Sequence, residues 1–209
     1  MSGQPLHIDY YKFMDSFKGG KCPFCSYILG KKEGSFKHLI YEGINDKYLR
    51  RDFIQSGGFC TAHLREFLRF RDGLSVAVLY EQIYINSAAA AFERKPRGPD
   101  RDNQSCMLCG TIETWKRMYI TLFKKHADDE DVTSAVQGSS GFCLPHFRLL
   151  REEIRHLPPW FEDFERSIFD GNIGLMRKYL ESCSNPAGTD DDKPSWKQVI
   201  LSLLGEEGV

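Results

Sequence analysis

Apolar residues along this chain recur at three- and four-residue steps, and strict alternation is scarce, so the pattern predicts helices. Trp115, Met118, Tyr119, Leu122 and Phe123 follow such steps and predict a helix after Cys109. Asp46 is placed to cap a short helix carrying Leu49 and Phe53, with Gly57 and Gly58 as its stop. Leu64, Phe67 and Leu68, then Leu74, Val78, Leu79 and Ile83, mark one long helix or two broken near Gly73. Phe161, Phe164 and Ile168, then Ile173, Met176 and Leu180, predict another pair. A last helix starts at Pro194-Ser195-Trp196 and runs through Val199, Leu203 and Leu204. The expected fold is all-α, with about four helices in each half, given ordinary helix lengths. The aromatic set Phe67, Phe70, Tyr80 and Tyr84 has helical spacing and is expected in the core.

With 209 residues and 41% of them hydrophobic, the chain can bury a real core as one domain or two small ones, which excludes a disordered chain. Leu74–Phe92 is the most apolar region, but Glu81, Gln82 and Asn86 interrupt it, so it reads as a buried soluble helix and not a membrane span. The first residues lack a basic stretch followed by an apolar run, so a cytoplasmic location is expected, where thiols stay reduced. A net charge of −1 makes nucleic acid or an anionic membrane an unexpected partner. Lys47, Arg50, Arg51, Arg69 and Arg71 are interspersed with acidic residues and do not change that reading.

The cysteines change the picture most. Cys22-Pro-Phe-Cys25 is followed after 34 residues by Cys60-Thr-Ala-His63, and Cys106-Met-Leu-Cys109 after 33 residues by Cys143-Leu-Pro-His146. Both distal pairs sit in the phrase Gly-Phe-Cys-x-x-His, beginning at Gly58 and Gly141. Asp46, Leu49, Phe53 and Ser56 align with Asp129, Val132, Val136 and Ser139, and Leu64 and Phe67 align with Phe147 and Leu150. This is an internal duplication. It divides the chain into a first repeat over 1–95, a polar linker over 96–105 (the charged, proline-bearing run itself starts at Glu93), and a second repeat over 106–209 with the C-terminal helix; one core shared by the two is the alternative. A second polar break over 184–194 precedes the last helix.

A Cys-x-x-Cys turn brings two sulfurs onto one ion. A Cys-x-x-His at a helix start puts a sulfur and a ring nitrogen on one face, because residues three apart are neighbours there. Together they make the three-Cys, one-His donor set of a closed tetrahedral zinc site. Two such sets are present: Cys22, Cys25, Cys60 and His63, and Cys106, Cys109, Cys143 and His146. Pairing within each copy is the simpler expectation, since a unit should be self-sufficient before duplication; the same chemistry allows pairing across copies. Two zinc ions are the expected cofactors. Iron–sulfur clusters, redox-active thiol pairs and buried apolar cysteines are the alternatives. Cys183 has no partner in the pattern, and His7, His38, His126 and His156 lack ligand spacing. Arg65 and Arg148 lie two residues past each ligand histidine and are expected on a solvated face. No phosphate loop, GxSxG or HExxH is present.

The tandem CPxC and GFCxxH units resemble a bacterial family with no assigned function. The resemblance includes His38-Leu-Ile-Tyr-Glu-Gly-Ile-Asn-Asp46, Gly73-Leu-Ser-Val-Ala-Val-Leu-Tyr80-Glu81 and the closing Pro194-Ser-Trp-Lys-Gln-Val, and spans Cys22 to Gly205. The second copy departs from it with Met107 where a proline is usual. The resemblance implies a cytoplasmic bacterial protein of this architecture and no substrate. The expected function is therefore a metal-binding helical module, with no catalytic residue assigned, that acts on an unidentified protein partner. An iron–sulfur or thiol-based electron-transfer protein is the alternative.

Overall fold

The computed structural model describes residues 8–43, 45–92, 106–184 and 196–206. Among these the chain forms ten helices and no strand: α1 (Ile8–Ser16), α2 (Pro23–Glu42), α3 (Lys47–Gln55), α4 (Thr61–Leu68), α5 (Gly73–Ala91), α6 (Met107–His126), α7 (Glu130–Gln137), α8 (Leu144–Glu153), α9 (Pro159–Ser184) and α10 (Trp196–Leu204). The all-α class is as expected. The predicted linker, residues 185–194 of the break before α10, His7 and Ser195 lie outside the described residues, while Ser184 closes α9.

Local sequence explains most boundaries. The Asp46 carboxylate accepts from the Tyr48 and Leu49 N–H groups at 2.8 and 3.1 Å and starts α3. Gly57 and Gly58, at φ 73° and 81°, end it. The break near Gly73 separates two helices, with Arg71 at φ 56° and Asp72 capping α5 through the Ser75 N–H. The pair predicted from Phe161 to Leu180 is instead one helix, α9, of 26 residues. Gly171 and Gly174 weaken that helix without breaking it, since a glycine costs an interior turn only about 1 kcal/mol. Tyr84, expected in the core, is 75% exposed, whereas Phe67 is buried.

Two compact units divide the chain differently from its repeats: one holds residues 1–29 and 116–209, the other residues 30–115. In the first, Tyr119 of α6 is fully buried among Phe13, Phe24, Tyr27 and Phe142, and Phe123 packs on Phe142 and Phe161. In the second, Phe36 of α2 meets Phe59, Phe67 and Phe70, and Phe53 meets Phe59 and Tyr80. The phenylalanine of each Gly-Phe-Cys phrase is thus part of its unit's aromatic cluster.

Each phrase is held by the same turn. Ser56 Oγ donates to the Phe53 carbonyl and accepts from the Gly58 N–H; Ser139 Oγ does so with Val136 and Gly141. Gly58 and Gly141 have φ 81° and 74°, and an added Cβ would come within 3.1 Å of Tyr80 and 3.0 Å of Ile168, so glycine is required twice over. The next N–H is taken by a side chain from the following long helix. The Phe59 N–H donates to Tyr80 Oη at 3.1 Å, and the Phe142 N–H to Glu165 Oε1 at 2.9 Å. Glu165 is wholly buried, and desolvation pushes its carboxyl from 4.5 up to about 8, against the Phe142 N–H that favours the charged form.

Replacing Gly58 or Gly141 by alanine should therefore destabilise the protein by about 1–3 kcal/mol, read as a lower urea midpoint at unchanged slope. Between pH 4.5 and about 8 the folded protein holds a proton on Glu165 that the unfolded chain has released, so this group's contribution falls as pH rises. Glu165→Gln keeps an acceptor for the Phe142 N–H and removes the titration. The stability of the variant relative to the parent should rise from about pH 5 to about pH 8, measured by denaturant unfolding at each pH.

Candidate metal centres

The eight predicted ligand side chains come together in two groups of four: Cys22, Cys25, Cys143 and His146 in the first unit, and Cys60, His63, Cys106 and Cys109 in the second. Within-copy pairing is therefore corrected. Each group combines the Cys-x-x-Cys of one repeat with the Cys-x-x-His of the other. The reason is helix length. Cys25 lies in the first turn of α2, while Phe59, next to Cys60, packs on Phe36, eleven residues further along that helix. Eleven residues of α-helix span about 16 Å, too far for two sulfurs to share an ion. In the second repeat Phe142, next to Cys143, packs on Tyr119 and Phe123 of α6, about 15–21 Å of helix beyond Cys109.

Each group is built from two helix starts. Cys22 and Cys25 open α2, and Cys106 and Cys109 open α6. Cys60 and Cys143 are the N-cap residues of α4 and α8, with His63 and His146 one turn inside. Both histidines face their sulfurs with Nδ1. His146 Nδ1 lies 3.6, 3.3 and 3.0 Å from the sulfurs of Cys22, Cys25 and Cys143. His63 Nδ1 lies 3.3, 3.4 and 3.4 Å from those of Cys60, Cys106 and Cys109. The Cys25–Cys143 and Cys60–Cys109 sulfur separations are 3.8 and 3.9 Å. Zinc bonded at its usual lengths to sulfur and nitrogen in a tetrahedron places such atoms about 3.6 Å (S to N) and about 3.8 Å (S to S) apart. The donor sets thus fit one ion each, and all four atoms of each group lie within 4.8 Å of one another.

The surroundings differ. All four residues of the first group are buried, and Phe24 stacks on His146 at 4.2 Å and 11°. In the second, Cys60 is half-buried and Cys109 exposed, while Lys32 and Glu66 form a pair at 2.8 Å with the lysine buried. Glu66 lies one turn beyond His63 on α4. In both groups the N-cap sulfur favours the thiolate. Hydrogen bonds from Cys22 and Cys25, then His146, hold the Cys143 thiol far below its ordinary value despite burial. Desolvation opposes charge on Cys60, yet the N–H groups of His63 and Ala62 and the thiols of Cys106 and Cys109 lower it overall. The sulfur partners respond in the opposite sense: the hydrogen bond with Cys143 raises Cys25 to about 12, and burial raises Cys109 to about 12. Burial also lowers His63, favouring the neutral imidazole that a metal requires.

The other candidates stay outside both groups. Cys183, His38 and His156 are exposed, as are Arg65 and Arg148, and His126 pairs with Asp129 at 2.6 Å. Glu165 and Lys32 have no sequence signal that marks them as neighbours of a metal group. Phe24 is different, because its place between the two cysteines of Cys22-Pro-Phe-Cys25 already puts it beside the donor group.

No helix among the described residues is long and apolar enough to cross a membrane. No curated protein and no solved structure matches this chain. A family model does match, over residues 7–173, which is most of the chain. The protein accordingly belongs to a family of unknown function, DUF6062.

Proposed function

We propose that this is a non-enzymatic zinc protein of the bacterial cytoplasm, in which two Cys3His ions fix a helical scaffold that binds a protein partner. The observation that carries the reading is the spacing of the two donor sets, each of which offers four protein atoms within 4.8 Å of one another, enough to complete a tetrahedron with no position left for substrate. Three thiolates and a neutral imidazole suit zinc, and four donors this close together suit a single ion better than a cluster, whose cysteines sit on different irons. The free state of all seven cysteines is in keeping with a reducing compartment. Partner binding is supported by exposed apolar side chains on α5, namely Leu74, Tyr84 and Ile85, and by Phe92 just beyond its end.

Bound zinc would supply charge neutralisation for three thiolates and a crosslink between distant segments. Around it, this chain's residues present sulfur from helix starts, hold each imidazole with Nδ1 inward, and bury all four donor residues of the first group.

The purified protein should be colourless and carry two zinc ions per chain by elemental analysis. Visible absorption from iron after anaerobic purification, or a stoichiometry far from two, would refute the reading. Cysteine pairs discriminate the pairing. Cys25→Ser with Cys143→Ser should leave one zinc, whereas Cys25→Ser with Cys60→Ser should leave none bound tightly. Zinc in such sites contributes roughly 10–16 kcal/mol of apparent binding free energy, against a net stability of roughly 5–15 kcal/mol for a domain. A strong chelator should therefore abolish most of the helical circular dichroism signal, and zinc should restore it.

A further inference from the structure

Resting on the zinc reading, we propose that Gly205 and Glu206, at the end of α10, form a strap that seals the first metal group. The Glu206 backbone N–H is an outer donor to the Cys25 thiolate and slows loss of the ion. The Glu206 nitrogen lies 3.4 Å from Cys25 Sγ. Gly205, at φ 81°, brings the backbone so close that a Cβ built on it would sit 3.5 Å from Cys143 Sγ and 3.9 Å from Cys25 Sγ. Two sulfurs of the group therefore face main chain from a segment some sixty residues away in sequence from the nearer of them.

The strap is pinned at its edges. The Gly205 N–H donates to the Leu201 carbonyl at 2.8 Å and closes α10. Lys21 pairs with the Glu206 carboxylate at 3.3 Å, Gln198 donates to the Gly20 carbonyl at 3.1 Å, and Asn172 donates to Ser202 Oγ at 3.1 Å. These clamps join α10 to α9 and to the loop before Cys22. No residue of α10 is fully buried; besides these polar contacts the strap is held by half-buried Val199 and Ile200 and by Trp196 against Tyr179. Beside it, a cavity of about 970 Å³ reaches Cys22 and Cys143.

The chemistry gives this seat a purpose. A three-thiolate zinc site carries a formal charge of −1 in a buried place, and N–H groups directed at sulfur spread that charge without protonating it. Release of the ion breaks four metal–ligand bonds, and each of the three freed thiolates takes a proton from solvent. A lowered strap removes both the water and the stimulus for protonation at Cys25. The second group, with Cys109 exposed, is the internal reference.

The test uses the full chain loaded with zinc and a colorimetric chelator in excess. Two release phases are expected, the slow one from the first group. Glu206→Pro deletes the N–H. Glu206→Ala keeps it and cuts only the Lys21 pair. The proline variant should speed the slow phase by about tenfold or more, the usual effect of losing an outer partner of a metal ligand, and leave the fast phase alone; the alanine variant should change neither phase by nearly as much. With cobalt in place of zinc, the thiolate-to-metal charge-transfer absorption should move in the proline variant and not in the alanine one. This is a signature that a merely structural role of the tail would not produce. Two retained zinc ions with an unchanged slow phase and absorption in Glu206→Pro would overturn the strap alone, as would equal effects of both variants. A parent chain that retains no zinc would overturn the zinc reading, and the strap with it.

Discussion

A twenty-residue α-helix is a rod of about 30 Å, and that rigidity decides how the cysteines of this protein combine. α2 and α6 are both of this length, and each begins with a Cys-x-x-Cys pair. Each then offers its further half as a platform for its own repeat's Gly-Phe-Cys phrase, through Phe36 for Phe59 and through Tyr119 and Phe123 for Phe142. Docking on the far half of a rod takes the Cys-x-x-His away from the pair at its start. Duplication resolves the mismatch, because the sulfurs left at each rod's start are completed by the other copy.

This exchange has an energetic consequence. The first group ties Cys22 and Cys25 to Cys143 and His146 across more than a hundred residues of chain, while the second ties Cys60 and His63 to Cys106 and Cys109 across fewer than fifty. Closure cost grows only with the logarithm of the loop, so the longer link costs roughly 1 kcal/mol more to close than the shorter one. The gain from filling four donor positions is far larger. Chain entropy therefore does little to discourage the long-range arrangement, and the packing of the two phenylalanines settles it.

Much of this was legible in single residues. Asp46 before Leu49, with Gly57-Gly58 after Phe53, marks both ends of α3, and the helix after Cys109 follows from Trp115 to Phe123. The eight ligands are readable because sulfur and imidazole at three-residue spacing have few other uses. Their partnership was not readable: the same four donor types are available within a copy and across copies, and only the distance along α2 distinguishes them. Gly30 and Gly34 obscure that helix, as Gly171 and Gly174 obscure the continuity of α9, because a glycine lowers helix propensity without showing whether packing compensates. Tyr84 shows the converse, since helical spacing carried it into the expected core while the fold leaves that face of α5 bare.

The two Gly-Phe-Cys turns also show how a duplicated element diverges while its backbone is preserved. Serine, positive-φ glycine and phenylalanine recur in both copies with the same hydrogen bonds. Only the group that receives the phenylalanine N–H has changed, from the phenol of Tyr80 to the carboxyl of Glu165. A phenol accepts that bond without a charge to desolvate. A buried carboxyl accepts it best when ionised, which its surroundings oppose, beside sulfurs that carry negative charge of their own. The second copy therefore carries a desolvation cost that the first avoids, met by keeping the Glu165 carboxyl protonated up to about pH 8, and it carries it beside the more deeply buried donor group. There the Glu206 N–H supplies a main-chain donor to Cys25. In the second group Cys109 is exposed, so its sulfur lies open to solvent and escapes the desolvation that the first group bears.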